Sequence, residues 1–301
     1  MKKGYALMIV LAGILWGFDG LLRRALGGIP STIIVTIEHS IRVLILLPLL
    51  PRFIKEYKKL TKKDWLLIFA IALFSGALGS IFYTAALAKV NNISYSVVVL
   101  LQQIQPIFTV ALAALILKEK ITPRYIILAA VALISAYFLT FPQYKPTLLW
   151  HNGELTAAAL AVGAAVMWGS TTILSKLILK KLSFAAAVTI RFMMVIPISF
   201  SISLILGDKY PLSLITSTQW YYLLILSVVT GVLGFFAYYM GLKYTEAKIA
   251  TFSEFAWPVS AALIGFFILG ERLTGVQTFA ALILLIDILV LSLSSSNAET
   301  A

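Results

Sequence analysis

The pentapeptide Ser75-Gly-Ala-Leu-Gly79 returns in the second half of the chain as Thr230-Gly-Val-Leu-Gly234. In each copy a tyrosine follows four residues after the last glycine, at Tyr83 and at Tyr238. Both copies lie inside long apolar stretches, where small residues let neighbouring helices approach closely. Because the two copies are about 150 residues apart in a chain of 301 residues, the sequence indicates a duplication of one half-length unit.

Further features recur in the same order and with nearly the same spacing between the copies. They are Trp16-Gly17 with Trp168-Gly169, Arg42 and Pro48 with Arg191 and Pro197, Pro106 with Pro258, and Leu117-Lys-Glu-Lys-Ile-Thr122 with Leu269-Gly-Glu-Arg-Leu-Thr274. Single matches are common by chance in apolar sequence, but an ordered series of matches is not. We therefore divide the chain into a first repeat over residues 1–141, a linker loop over 142–153 and a second repeat over 154–301.

The composition is that of an integral membrane protein. Hydrophobic residues make up 61% of the chain, charged residues only 12%, and the mean hydropathy is +0.99. Soluble domains need about a quarter of charged residues to cover their surface, so a water-soluble fold is excluded. Ten apolar segments are long enough to cross a hydrocarbon core of about 30 Å as helices. They lie near residues 5–22, 33–51, 65–87, 94–117, 123–141, 154–177, 184–206, 219–242, 248–269 and 274–294.

Each repeat thus holds five predicted helices, and this odd number determines how the repeats are oriented. The second copy must enter the membrane from the opposite side to the first, so the repeat is inverted, a plan that recurs in secondary transporters. The strands of a β-barrel would alternate apolar and polar side chains, which these segments do not. The predicted fold class is an all-α integral membrane protein with ten transmembrane helices in a five-plus-five inverted repeat.

The basic residues predict the orientation of the chain. Most of the 24 Lys and Arg residues fall at the N-terminus and in the loops between spans 2 and 3, 4 and 5, 6 and 7, and 8 and 9. Cytoplasmic loops carry the excess of basic residues, so we expect both termini on the cytoplasmic side of an inner or plasma membrane. The bases do not form the one-sided patch that nucleic-acid binding needs. With no cysteine, disulfides and thiolate metal sites are excluded.

The chain resembles the EamA-like ten-helix transporters of the drug/metabolite transporter superfamily over residues 5–294. The resemblance is carried by Trp16-Gly17 and Trp168-Gly169, by Pro106 and Pro258, and by the closing turns around Glu119 and Glu271. It implies two inverted five-helix repeats around a central cavity, and carriage of amino acids, nucleotide-linked or other small metabolites. The chemistry of the two halves is not fully symmetric, since Glu38-His39 stands opposite Ala187-Val188.

Ionisable side chains inside the predicted spans are the first candidates for function, because each costs about 2.5–3.5 kcal/mol at the centre of a membrane. They are Asp19, Glu38, His39, Arg42, Arg191, Glu254 and Asp287. Glu38 and Arg42 are four residues apart and are expected to form an ion pair, with either a structural or a coupling role. Asp19 has the same spacing to Arg23, so Asp19, like His39, is expected to take part in an ion pair or in coupling, and the alternative for Asp19 is a position near the membrane interface. Asp287, amid Leu and Ile, is expected to be structural.

The candidate substrate-binding residues combine a polar group or an aromatic ring with a position inside a span. They are Trp16, Tyr83, Gln102, Trp168, Arg191, Tyr238, Glu254 and Trp257. Gln102 and Glu254 each lie four residues before a proline that cannot bond their carbonyl, so a polar side chain and a freed carbonyl lie at one level. Arg191 suits a substrate carboxylate or phosphate, and the rings suit stacking or an ammonium group. The alternatives are tolerated kinks and simple packing.

The sequence predicts a secondary transporter and not an enzyme. It contains no H-E-x-x-H or G-x-S-x-G motif, no cysteine nucleophile and no phosphate-binding loop. The expected substrate is a small polar metabolite, first an amino acid or another amine-bearing zwitterion or cation, moved by alternating access. The alternatives are exchange of nucleotide-linked substrates and a channel-like facilitator. We expect no cofactor and no metal, a metabolite, protons and lipid as partners, and a monomer or weak dimer.

Overall fold

A computed structural model describes residues 3–89, 93–109, 111, 123–140, 153–245, 253–254 and 256–298. These residues are helical apart from short turns, and no strand occurs among them. Seven helical segments are long and apolar enough to cross a membrane, and two shorter apolar helices cover 256–267 and 275–290. The all-α membrane fold is therefore confirmed. The count of ten spans stays a prediction, because 112–122, with Glu119, lies outside the described residues.

Apart from the helical residues 105–109 and the short 3₁₀ and π-helical segments, the described part of the first repeat contains seven helices. They are α1 (Lys3–Ala25), α2 (Ser31–Leu46), α3 (Leu50–Tyr57), α4 (Lys62–Ile71), α5 (Gly79–Leu87), α6 (Tyr95–Gln102) and α7 (Pro123–Thr140). α4 begins three residues before the predicted span because Thr61 and Asp64 cap it reciprocally. The Thr61 N–H donates to Asp64 Oδ2 at 2.8 Å, and the Asp64 N–H donates to Thr61 Oγ1 at 3.3 Å.

The described part of the second repeat contains six helices. They are α8 (Gly153–Leu179), α9 (Phe184–Leu206), α10 (Ser217–Ile225), α11 (Gly234–Tyr244), α12 (Ala256–Phe267) and α13 (Gly275–Ala298). Ser183 caps the start of α9 by accepting the Ala186 N–H. Gly207 ends the helix with φ +72°, a left-handed conformation that favours glycine.

Helices at equivalent places in the two repeats run antiparallel. Near the start of α2, Thr32 Oγ1 donates to Asp208 Oδ2 just after the end of α9, at 2.6 Å. At the opposite ends of the same helices, the Ser183 N–H before α9 donates to Glu56 Oε2 beyond α2, at 2.6 Å. α7 and α13 pair in the same sense, since Gln277 Nε2 near the start of α13 donates to the Leu139 carbonyl near the end of α7.

The repeated pentapeptide forms a π-helical segment in each repeat. Residues Ala72–Leu78 join α4 to α5, and residues Leu226–Leu233 join α10 to α11. In a π-helix the hydrogen bond runs to the fifth residue, so some carbonyls lose their usual partner. Indoles from the other repeat use these carbonyls. Trp168 Nε1 donates to the Ser75 carbonyl at 3.0 Å, and Trp16 Nε1 donates to the Thr230 carbonyl at 3.2 Å.

The predicted span over 94–117 is not one uninterrupted helix. α6 ends at Gln102, residues 103 and 104 form a turn, and helix resumes over 105–109. Pro106 explains the break, because it has no N–H for the Gln102 carbonyl and its ring crowds that carbonyl. The largest apolar core lies where α5, α6, α7, α8 and α13 meet, and every residue of α6 is buried. Gln102 therefore ends a helix at the centre of the bundle.

Candidate substrate cavity

A cavity of about 240 Å³ lies between helices of both repeats. Its walls include all eight predicted substrate-binding residues, Trp16, Tyr83, Gln102, Trp168, Arg191, Tyr238, Glu254 and Trp257. Asp19, His39 and Arg42 line it as well, whereas Glu38 is fully buried beside them. The residues selected from the sequence thus come together in space, and their role in binding stays a prediction.

Glu38 accepts hydrogen bonds from two arginines. Its Oε2 lies 3.0 Å from Arg42 Nη2 and 2.7 Å from Arg23 Nη2. Arg23 Nε also donates to Asp19 Oδ2 at 2.6 Å. The expected contact between Glu38 and Arg42 is therefore present, but it is one part of a larger cluster. Two carboxylates and two guanidiniums neutralise one another there, which lowers the cost of burying each of them.

Arg23 was not expected inside the bundle. Its exposed fraction is 5%, and its Nη1 donates to Thr84 Oγ1 in α5 at 2.8 Å. Asp19 and Arg23 therefore pair inside the bundle, because α1 turns Arg23 towards α2 and α5, and their depth in the membrane stays a prediction. The four-residue spacing between Asp19 and Arg23 was the available signal. The adjacent Arg24 points away from this cluster and donates a hydrogen bond to Glu271.

The charged cluster also reaches the second repeat and includes a neutral histidine. Thr230 Oγ1 donates to Asp19 Oδ1 at 2.7 Å. His39 Nδ1 lies 2.8 Å from the Val35 carbonyl, which can only accept, so Nδ1 carries the proton. His39 Nε2 lies 3.3 Å from Arg42 Nη1 and accepts from it. These assignments, made from the hydrogen-bond partners, leave the cluster without net charge.

The closing turn of the second repeat holds the start of α6 in the first repeat. The Glu271 carboxylate accepts the Tyr95 N–H at 2.6 Å and the Ser96 N–H at 3.0 Å. A carboxylate is favoured there because the N–H groups at the start of a helix lack partners within the helix. Arg24 Nη1, near the end of α1, donates to the same carboxylate at 2.5 Å. We call these contacts of Glu271 the Glu271 clasp.

Arg191 projects into the cavity from α9 without a carboxylate partner among the described residues. Its Nη2 donates to Ser75 Oγ at 2.8 Å, and its guanidinium carbon lies 4.7 Å from the centre of the Phe235 ring. Its Nε has no hydrogen-bond partner among the same residues. Ser75, which holds the guanidinium, lines the cavity too and was not selected from the sequence. Arg191 can therefore offer an N–H group and a positive charge to a substrate.

Glu254 and Tyr238 form the acidic side of the cavity. The Tyr238 hydroxyl donates to Glu254 Oε1 at 2.8 Å, and the Glu254 side chain is exposed. The sequence indicated no basic residue three or four positions from Glu254. Its hydrogen-bond partner is the hydroxyl of Tyr238, which lies on α11. Glu254 and Arg191 thus give one cavity two groups of opposite charge.

Three tryptophans frame the cavity. The Trp257 ring centre lies 6.3 Å from that of Trp16 and 6.0 Å from that of Trp168. Tyr238 packs on Trp16 with centres 5.0 Å apart, and Tyr83 packs on Trp168 with centres 5.5 Å apart. Because Trp16 and Trp168 are fixed by the π-helical segments, the frame is held by backbone contacts between the repeats. The Trp257 ring is inclined at 75° to Trp16 and at 59° to Trp168, so the three indoles form one packed aromatic wall.

Several polar atoms in the cavity wall are buried without a partner among the described residues. They are the Tyr83 hydroxyl, Gln102 Oε1 and Nε2, Trp257 Nε1, Arg42 Nε and Arg191 Nε. An unpaired buried group of this kind costs about 1–3 kcal/mol. These atoms give the cavity wall unpaired donors and acceptors, which a ligand or a water molecule could use.

Asp287 lies apart from this site. It is 5% exposed in α13, does not line the cavity, and its Oδ2 has no partner among the described residues. Tyr239, a further aromatic residue of α11, does line the cavity.

A bundle of apolar helices with antiparallel equivalent elements around a polar, aromatic-lined cavity is the architecture of a membrane transporter. The EamA-like transporter family matches residues 3–141 and 155–293. The chain belongs to this family, within the drug/metabolite transporter superfamily, and is a transporter and not an enzyme.

Relatives cover nearly the whole chain. The riboflavin transporter ImpX of Fusobacterium nucleatum is 35% identical over 289 residues, which cover 95% of this chain and 97% of that protein. The uncharacterized transporter YwfM of Bacillus subtilis is 24% identical and covers 99% of this chain and 96% of its own. A solved crystal structure with 15% identity matches all of both chains with a TM-score of 0.63, which shows a shared fold.

Proposed function

We propose that this protein is a secondary transporter that carries a flat heteroaromatic metabolite of the riboflavin type across the cell membrane. The observation that carries the proposal is the frame of Trp16, Trp168 and Trp257 around a cavity with buried, unpartnered donors and acceptors. Flat rings stack on indole faces, and in-plane polar groups of a ring meet polar atoms in the wall. The similarity to ImpX supports this substrate class over the amino acids expected from the sequence.

Alternating access is the proposed mechanism. Antiparallel equivalent helices support it, because exchanging the conformations of two inverted halves moves the opening of a cavity from one side to the other. The Glu271 clasp and the charged cluster of Asp19, Arg23 and Glu38 involve the last residues of α1. The exposed Glu254 lies beside Tyr238 of α11 on another part of the cavity wall. In the proposed cycle the contacts at the end of α1 close one side and separate when the substrate leaves by that side.

The full topology belongs to the same proposal. Ten spans in five-plus-five order would place the N- and C-termini on one side, and the basic loops favour the cytoplasmic side. A multi-pass protein of this kind would lie in the plasma membrane or an inner membrane. Protons are the proposed coupling ion, with Glu254 as the group that binds them.

An amino acid or another zwitterion is the second candidate substrate. Arg191 and Glu254 line the same cavity with opposite charges, and they could hold a carboxylate and an ammonium group. The two opposite charges suit a zwitterion, whereas a neutral ring system needs neither of them. A direct competition experiment separates the two candidates.

Uptake into proteoliposomes tests the proposed function. The purified protein is reconstituted, and uptake of radiolabelled riboflavin is measured against protein-free liposomes, with unlabelled riboflavin or a mixture of amino acids as competitor. We expect saturable uptake that unlabelled riboflavin suppresses and amino acids leave unchanged. Uptake of labelled amino acids with no saturable uptake of riboflavin would establish the second candidate instead.

A further inference from the structure

Gln102 is the most deeply buried of the cavity-lining side chains that lack a partner. Its exposed fraction is 1%, and neither Oε1 nor Nε2 has a hydrogen-bond partner among the described residues. The side chain stands at the last residue of α6, where the helix breaks before Pro106. It therefore presents an unused donor and an unused acceptor, side by side, within the wall of the cavity.

The neighbouring glutamine behaves differently. Gln103 also lines the cavity, but its Nε2 donates to the Val99 carbonyl of its own helix at 3.3 Å. Two adjacent residues of the same type thus differ in whether the amide is already bonded within the protein, and Gln103 is also less deeply buried than Gln102. Gln103 is for this reason the matched control for Gln102.

We propose that Gln102 selects substrates by pairing with a ring edge that carries an N–H beside a carbonyl, as in a cyclic imide or lactam. This inference rests on the proposed function. Oε1 accepts the ring N–H, and Nε2 donates to the ring carbonyl, so both unpartnered atoms are satisfied at once. The flat ring system of riboflavin has such an edge, with an N–H between two carbonyl groups.

Other substrate classes satisfy the amide less well. A carboxylate offers only acceptors, so it bonds Nε2 and leaves Oε1 unpaired, and an ammonium group does the reverse. The tryptophans do not discriminate either, because every flat ring has a face on which an indole can stack. Discrimination between flat rings must come from hydrogen bonds in the ring plane, and the Gln102 amide is placed to supply two of them.

The first arm of the test changes the ligand and uses the wild-type protein alone. Binding of riboflavin and of riboflavin methylated at its imide nitrogen is compared by the thermal shift of the purified protein. The methyl group removes the N–H and blocks its approach to Oε1. We expect the methylated ligand to bind about tenfold or more weakly, because a site built around a hydrogen bond rejects an analogue that lacks it.

The second arm changes the protein. Gln102→Leu should bind riboflavin weakly and should no longer prefer it to the methylated ligand, whereas Gln103→Leu should keep the preference. Without ligand, the Gln102→Leu protein should unfold at the wild-type temperature or above, because an unpaired buried amide has been removed. A lower unfolding temperature would mean that the amide has a structural partner, and the proposal would be wrong.

The outcomes separate this inference from the proposed function. If the wild-type protein binds both ligands equally, or if Gln102→Leu retains the preference, the role of Gln102 is overturned while a riboflavin-type substrate stands. If the wild-type protein binds neither ligand, the proposed substrate class and the role of Gln102 fall together.

Discussion

Among the single residues, Glu38 occupies the centre of the buried charge cluster, because its Oε2 accepts from both Arg23 and Arg42. Removing Arg42 leaves Glu38 paired with Arg23, whereas removing Glu38 leaves Arg23 with Asp19 and takes from Arg42 its carboxylate partner. We therefore expect Glu38→Ala to lower the unfolding temperature in detergent more than Arg42→Ala does. Breaking a buried pair by deleting one member costs about 3–5 kcal/mol.

The double variant tests whether the two side chains interact. Glu38→Ala combined with Arg42→Ala removes one charge of each sign, so part of the loss caused by Glu38→Ala should be recovered. Losses in unfolding temperature that simply add would count against the pairing, since only residues in contact show such coupling.

A second prediction at this scale concerns Glu254 as the coupling group. Glu254→Gln keeps the size and hydrogen bonding of the side chain while removing its titration, and Gln102 fills the equivalent place in the first repeat. The variant should fold and bind substrate, but its flux should no longer depend on pH between about pH 5.5 and 8.5.

Tyr238→Phe is the control, because it removes the hydrogen bond to Glu254 and keeps the charge. It should retain the pH dependence of flux. If Glu254→Gln transports at the wild-type rate across the whole range with unchanged substrate preference, Glu254 is structural and coupling must lie elsewhere.

The sequence indicated all eight of the aromatic and polar residues proposed to bind substrate, but it missed Arg23 and Ser75. Gln102 and Glu254 could be found because each precedes a proline by four residues, and this relation needs no knowledge of packing. Arg23 could not be placed, because its burial depends on where α1 ends and which side it turns to α2. The sequence also could not show which polar atoms of the cavity lack a hydrogen-bond partner, because this depends on contacts between helices far apart in the chain.

Among the elements, the two π-helical segments hold the repeats together through Trp16 and Trp168. A side chain on the glycine that follows each segment would collide with the bound indole. A Cβ atom at Gly79 would lie 2.5 Å from Trp168 Nε1, and one at Gly234 would lie 3.1 Å from Trp16 Nε1. The first distance is too short for any two packed atoms, whereas the second requires only a small shift of the Trp16 ring.

We therefore expect Gly79→Ala to lower the unfolding temperature clearly and Gly234→Ala to lower it less. Adding Trp168→Phe to Gly79→Ala should restore part of the loss, because the colliding nitrogen is removed. Gly275→Ala is the control: a Cβ there meets nothing within 4 Å, so its unfolding temperature should match or exceed the wild type. Equal losses at Gly79 and Gly234 would contradict the closer approach of Trp168 to Gly79 than of Trp16 to Gly234.

Local sequence predicts where the helices lie but not their local geometry. The repeated pentapeptides predicted close helix approach, yet not the π-helical form or the indole from the other repeat that bonds to it. The break at Gln103 differs from the uninterrupted span expected from hydropathy, which is insensitive to a single proline. Apolar runs determine where helices exist, and tertiary contacts determine their local geometry.

For the whole molecule, antiparallel pairing of α2 with α9 and of α7 with α13 supports an inverted arrangement. This arrangement predicts the sides on which the loops lie. Reporter fusions after residue 60 and after residue 297 should both report the cytoplasm, and a fusion near residue 147 should report the opposite side. If residues 60 and 147 report the same side, the five-plus-five assignment is wrong.

The duplication could be predicted from the sequence because its signature positions recur in order across the whole chain. The substrate class proposed above differs from the zwitterion that the charges of Arg191 and Glu254 favoured in the sequence, and both stay predictions. The aromatic frame became visible only when Trp16, Trp168 and Trp257 were placed together. Residue types alone do not show which groups face each other across a cavity.

Counterflow in proteoliposomes tests most directly whether the protein carries a riboflavin-type substrate by alternating access. Liposomes are loaded with unlabelled riboflavin and diluted into a trace of labelled riboflavin. A carrier that exposes its site to one side at a time should accumulate label transiently above its equilibrium level, and loading with an amino acid should not have this effect. Label that rises only to equilibrium, whatever the liposomes contain, would contradict the carrier mechanism and indicate a channel-like pore.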